Sequence, residues 1–256
     1  MRAFEKKYIY LIKEFSIAGF KARDQRAVLG FLWSFLNPLI MTSVLYFLFK
    51  SRIWKEQPGG YFVYILTGVV FWNFFSNAVQ FSLQSLTGNT SMVRNVIFPK
   101  EILVFSRIGV FIIQFAFEVF ALFLIIAITG FGFSLFAIFL PAVILIEILL
   151  IAGLSLFLSC LSVYAKDVSH IWNAVSRIIF FAVPVFYRIS SLSRGFARIV
   201  YLNPVSQVII FAREILLYHR LPSMLNLALM FIFSLFVFWG GYRFFKYFEH
   251  SMVEKV

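Results

Sequence analysis

Six stretches of this chain are apolar for longer than a soluble core helix or strand needs. They cover residues 31–49, 61–83, 102–129, 133–163, 169–187 and 224–245. A helix rises about 1.5 Å per residue, so crossing about 30 Å of hydrocarbon takes roughly 20 apolar residues. Lipid offers no partner to an open backbone, so such segments must close their own hydrogen bonds. The expected fold class is therefore all-α integral membrane, with six transmembrane helices. Composition agrees. The chain is 62% hydrophobic and 13% charged, against roughly 45–50% and 25% in soluble domains. The lone Cys160 excludes an internal disulfide and a cysteine metal cluster.

The segments outside these runs are patterned too. In residues 1–27, Phe4, Tyr8, Leu11, Ile12 and Phe15 recur at spacings that gather on one helical face, with Lys6, Lys7, Lys13 and Glu14 elsewhere on the wheel. A basic helix with one apolar stripe suits the membrane interface, and packing on a partner at that surface is compatible with it. Residues 28–256 form the transmembrane domain. Between the fifth and sixth runs, residues 188–222 are moderately apolar but interrupted by Arg194, Arg198, Pro204, Arg213 and Glu214. A lipid-facing span there is costly. Two short re-entrant or surface helices are expected instead, the second starting at Asn203 as N-cap with Pro204 in its first turn. Six spans put both termini on one side. Lys and Arg are more numerous in the segments that this topology places inside, so the termini are expected to be cytoplasmic. The net charge of +12 is read as basic flanks meeting anionic lipid headgroups, not as a nucleic-acid surface.

Polar groups inside the apolar runs are the candidates for function. Gly30 is expected to break the interface helix, Trp33 to sit at the interface, and Asn37 and Pro38 to disturb the first span's opening turns. Glu118, one turn after Gln114, and Glu147 are carboxylates inside spans, which serve either transport or helix packing. Trp172, Phe180 and Tyr187 are spaced to share one face of the fifth span with Ser169 and Ser176, an aromatic and hydroxyl surface suited to sugars. Arg188, Arg194 and Arg198 suit a lipid phosphate, by guanidinium geometry, or anchor short helices to headgroups.

Enzyme chemistry is not signalled. The sequence holds no phosphate-binding GxxxxGK[ST] loop, no HExxH and no GxSxG. His170, His219 and His250 lie in different segments, and Asp167 with His170 reads as a capped helix start. Residues 87–101 sit between the second and third spans on the expected cytoplasmic side. Capping residues there precede a short helix bearing Met92, Val93, Val96 and Ile97, which Pro99 is expected to end.

Four segments in order resemble the permease subunit of type-2 ABC exporters for polysaccharides, the O-antigen and teichoic acid exporters. They are Leu29-Gly30-x-Leu32-Trp33-x-x-Leu36-x-Pro38-Leu39, IFPKEILVFSR (97–107), AKDVSHIWNAVSRIIFFAVPVFY (165–187, containing Pro184) and NPVSQVIIFAREILL (203–217). Lys166 stands where that family typically has arginine, and Val104 where it often has a second proline. The resemblance implies an N-terminal interface helix, two re-entrant helices before the last span, and a homodimer around a wide channel in the cell inner membrane. It implies no cofactor in this chain. ATP and Mg would be bound by two separate ATPase subunits docking on a coupling helix at roughly residues 88–101. Met92, Val93, Arg94, Asn95, Phe98, Pro99, Lys100 and Glu101 would transmit the motion. The substrate implied is a lipid-linked polysaccharide. Export of a drug or other lipid, a membrane-embedded transferase on lipid-linked sugars, and an assembly scaffold are the alternative readings.

Overall fold

The computed structural model describes residues 2–24, 32–53, 58–130, 132 and 134–255. Gly30, expected to break the interface helix, and Leu29 lie outside the described residues. The helices are α1 (Arg2–Asp24), α2 (Leu32–Ile53), α3 (Pro58–Leu83), α4 (Thr90–Asn95), α5 (Glu101–Ile128), α6 (Leu140–Tyr164), α7 (Val168–Ala182), α8 (Arg194–Leu202), α9 (Pro204–Leu216) and α10 (Met224–Lys255). Among the described residues there is no strand. The fold is all-α integral membrane. By length and apolarity, α2, α3, α5, α6 (with the turn preceding it) and α10 can each cross a bilayer.

Position in the bundle follows from how apolar residues are spread around each helix. A helix that is apolar all round can be buried all round. α3 is such a helix, 78% buried over its apolar window, and it packs against α2, α5, α6, α7 and α9. α10 is equally long but only 11% buried, and lies against α6. The α6–α10 pair is parallel and unusually close. A Cβ on Gly241 would overlap the Gly153 backbone, and one on Gly153 would overlap Val237 and Phe238. No GxxxG motif signals this contact, because one glycine on each helix is enough.

Helix ends fall into two groups. The ends of α3, α6 and α10 meet around one cleft, lined by Leu83, Ser162 and Lys255 among others. The starts of α5 and α7 lie at that end too, as does α1, whose Ser16 hydroxyl donates to the Ser106 carbonyl at 3.1 Å. Gly109 leaves the room for that contact. Tyr8, Leu11, Ile12 and Phe15, the expected stripe of α1, are half-buried, while Ile9 and Tyr10 are exposed.

Three segment boundaries differ from expectation. The long fourth run resolves into a 3-10 turn, Leu135–Phe139, followed by α6, so Pro141 starts the helix and does not kink it. α10 continues ten residues past the expected end at 245, as polar residues keep it helical. The fifth run, expected to be helical over 169–187, is helical only over 15 residues, Val168–Ala182. That is about 22 Å. The backbone turns extended at Val183, ahead of Pro184, as the residue before a proline favours.

Beyond it, α8 and α9 are bent by 91° at a single residue. Asn203 accepts from the Val205 amide at 3.0 Å, and Pro204 occupies the first turn, both as the sequence predicts. α9 is no surface helix, however. Val205, Val208, Ile209, Phe211, Ala212 and Ile215 are all buried.

Candidate functional site

The break after Ala182 raises an accounting problem. Irregular backbone at membrane depth leaves carbonyls that the helix no longer satisfies, and each needs a donor. Four consecutive carbonyls receive one from side chains. Arg213 donates to Pro184 at 2.5 Å and to Val185 at 2.7 Å. The Tyr61 hydroxyl donates to Phe186 at 2.8 Å, and the Tyr64 hydroxyl to Tyr187 at 2.8 Å. Arg213 also donates twice to the Tyr64 carbonyl, at 3.2 and 2.9 Å. Its guanidinium is 2% exposed. Carbonyl dipoles and an aromatic face surround it, an arrangement that suits the rigid five-donor fork of arginine.

Gly68 makes the approach possible. One turn after Tyr64, its missing Cβ would lie 2.6 Å from Arg213 Nη2 and 3.0 Å from the Val185 backbone. In sequence Arg213 and Glu214 stand side by side among the residues that interrupt the 188–222 stretch. The two separate in the structure: Glu214 binds Arg220 at 2.7 Å, and Arg213 turns into the core. The signal was available, since neighbours in sequence lie about 100° apart on a helix and cannot share a partner face.

The predicted aromatic face of the fifth segment is also placed differently. Trp172 is buried against Phe75, and Phe180 packs on Trp72, both on α3. Tyr187 lies beyond the helix end, so it does not continue the face. These side chains and Ser176 fill the α3–α7 contact. The exposed side of α7 carries Ile171, Val175 and Ile178 on one flank and His170, Asn173 and Arg177 on the other, with Phe181 exposed one turn beyond Arg177. Asp167 stands at the N-cap of α7 but its side chain caps nothing.

In α2, Trp33 is 44% exposed, Asn37 is exposed and Pro38 is buried. The helix runs continuously through Pro38, contrary to the expected disturbance, because a proline within the first two turns removes few internal bonds. Arg188 is half-buried, in a cleft of ≈ 710 Å³ with Tyr201, Gln207 and Arg220. Arg194 and Arg198 are exposed one turn apart on α8.

At the opposite end, α4 stops at Asn95, as Val96 turns extended, and not at Pro99. Val93 is buried, whereas Val96 is 47% exposed and Ile97 fully exposed, both outside the helix. The following residues are anchored. The Lys100 amide donates to Glu249 at 3.1 Å, and Lys246 binds both Glu101 at 2.7 Å and Glu249 at 3.0 Å. Lys100 Nζ donates to the Val96 carbonyl at 2.7 Å and sits 4.5 Å from the Phe98 ring centroid. Burial lowers the pKa of Lys100 from its usual value, and Glu249 opposes the shift. The segment thus exposes an apolar tip on a base tied to α5 and α10.

The two intramembrane carboxylates differ. Glu118 accepts from Gln114 Nε2 at 2.6 Å. Glu147 is fully buried in α6, and among the described residues neither of its oxygens has a hydrogen-bond partner. Among the described residues no group of three or more His, Cys, Asp or Glu is placed to hold a metal.

Five helices long and apolar enough to cross a bilayer, packed with shorter helices and a buried, side-chain-stapled break, are the architecture of a multi-pass membrane protein. The chain belongs to the ABC-2 type transporter family, whose model matches residues 10–217. It is similar to the O-antigen export system permease protein RfbA of Myxococcus xanthus, 26% identical over 238 residues, covering 92% of this chain and 91% of that one. It is also similar to the protein of the same name from Klebsiella pneumoniae, 24% identical over 196 residues, covering 76% and 75%.

Proposed function

We propose that this chain is the membrane-spanning subunit of an ABC exporter for a lipid-linked cell-surface polysaccharide of the O-antigen kind. The similarity to an O-antigen export permease over 92% of the chain carries this reading. Two copies form the path in the cell inner membrane, with both termini cytoplasmic. Two separate ATPase subunits bind ATP and Mg and dock on residues 88–101. The exposed Ile97 and Val96, held on the base made by Lys100, Glu101, Lys246 and Glu249, support that docking. Closure of the ATPases pushes this segment and α1, and the push reaches α5 through Ser16 and Ser106 and α10 through Lys246.

The path is proposed along the exposed sides of α2 and α7, with Trp33 and Asn37 at its cytoplasmic mouth and the stapled segment containing Pro184 and Tyr187 at its far end. Arg188, Arg194 and Arg198 meet lipid phosphates there. Deleting the gene in its native host tests the reading: surface glycan is expected to disappear and to return with the gene. A cell surface that keeps its glycan, with a partner ATPase whose rate ignores this chain, would sink it.

A further inference from the structure

Arg177 lies on the tenth residue of α7, about 13 Å along the axis from Val168. It is exposed, and among the described residues no hydrogen bond or ion pair holds it. Around the wheel, Trp172, Ser176, Ile179 and Phe180 turn toward the bundle, and the remaining arc is open. That arc divides in two. His170, Asn173 and Arg177, at i, i+3 and i+7, form a polar stripe, and Ile171, Val175 and Ile178 form an apolar one beside it. An arginine at this depth facing hydrocarbon costs several kcal/mol, so such groups face water or an opposite charge.

Among the described residues the chain supplies no such charge. It has 11 acidic residues. Glu118 and Glu147 are buried, and Glu214 is engaged by Arg220. Glu101 and Glu249 hold Lys246 at the far end of α10. Asp167 stands about 15 Å below Arg177 on the same helix. Glu5, Glu14, Asp24, Glu56 and Glu254 lie outside the spans in sequence. A second copy brings the same set, so pairing two copies adds no exposed acid at this level.

We infer that Arg177, with Asn173 and His170, forms an anion-binding station in the translocation path, which takes the phosphate or diphosphate of the lipid-linked substrate. Its place on the path rests on the exporter reading above. The guanidinium offers paired donors to phosphate oxygens, and the Asn173 amide and a His170 ring N–H add donors on the same stripe. The adjoining apolar stripe accommodates the lipid chain that the phosphate carries. The station is a substrate-positioning device, and the sugar itself is not read there.

Two measurements on the complete complex with its ATPase test this. In a Cys160→Ser background, Arg177→Cys is expected to react with a membrane-impermeant charged thiol reagent, with Ile171→Cys reacting poorly; a protected Arg177→Cys overturns the wet stripe. Equilibrium binding of farnesyl diphosphate is then compared with farnesol. Arg177→Gln is expected to weaken the diphosphate about tenfold or more, Arg177→Lys to keep most of it, and farnesol to be indifferent to all three. Equal binding by Arg177→Gln overturns the station. Displacement of the probe by phosphatidylglycerol vesicles but not by phosphatidylcholine vesicles assigns the site to a membrane lipid instead, which also overturns it. Binding is read directly, so a failure of glycan export to depend on this chain would sink the exporter reading alone.

Discussion

The Arg213 guanidinium lies 3.4 Å from the centroid of the Tyr64 ring and donates to the carbonyl of that same residue. Tyr64 therefore cradles the cation twice while its own hydroxyl holds Tyr187. Arg213→Met removes a donor from three buried carbonyls, of which Pro184 and Val185 lie outside any helix and cost about 1–3 kcal/mol each. The detergent-solubilised protein is expected to melt several degrees lower, and Arg213→Lys to rescue little, since one ammonium cannot span Tyr64, Pro184 and Val185. A melting temperature unchanged in Arg213→Met would show that the staple carries no stability.

Gly68→Ala tests the same contact from the other side. The new Cβ meets backbone at 3.0 Å as well as the Arg213 tip at 2.6 Å, and backbone cannot rotate away. A loss of about 1–3 kcal/mol is expected from overpacking. Gly88→Ala, where the added Cβ meets nothing within 4 Å, is the matched control.

Glu147 separates stability from function. A fully buried carboxyl without a donor costs free energy, so Glu147→Leu is expected to stabilise by about 1–3 kcal/mol, read as a higher melting temperature. If glycan export falls in this more stable variant, the carboxyl serves transport. If export is unchanged, Glu147 only packs.

Ile97 is solvated on every side, so Ile97→Asp should leave folding within about 0.5 kcal/mol. Under the proposed docking, capture of the ATPase on affinity resin should drop while the amount of chain in the membrane stays constant. Lys246→Ala should instead retain capture and lower the ATPase stimulation, because it leaves the Lys100 amide on Glu249 as the remaining tie described between the docking segment and α10.

Pro38 is buried in an unbroken α2 and leaves the Ser34 carbonyl without its helical partner. Pro38→Ala supplies that amide. Insertion and yield are expected to be unchanged and export to fall. Wild-type export in the variant would remove Pro38 from the moving parts.

Much of the architecture was legible because hydrocarbon thickness and helical rise leave few choices: α2, α3 and α5 begin and end within a few residues of the apolar runs. The α8–α9 bend was legible from Asn203 and Pro204, whose cap chemistry is local. The fifth segment was not. Its apolarity continues through Tyr187, and hydropathy does not tell a helical residue from an extended one whose carbonyls are met by Tyr61, Tyr64 and Arg213 from distant parts of the chain. The same limit hid the inward turn of Trp172 and Phe180. Periodicity reports which residues share a face, but not whether α3 already occupies it. The end of α4 was misplaced for a smaller reason: Val96 leaves the helix three residues ahead of the proline taken as its stop.

At Gly153 and Gly241 backbone touches backbone, and only further along do side chains, Phe157 with Phe244 and Tyr164 with Phe248, stand between α6 and α10. Sliding one past the other would drive carbonyls into each other, so the pair can only travel together. Under the proposed cycle, a push that reaches α10 through Lys246 therefore carries α6 with it as one body.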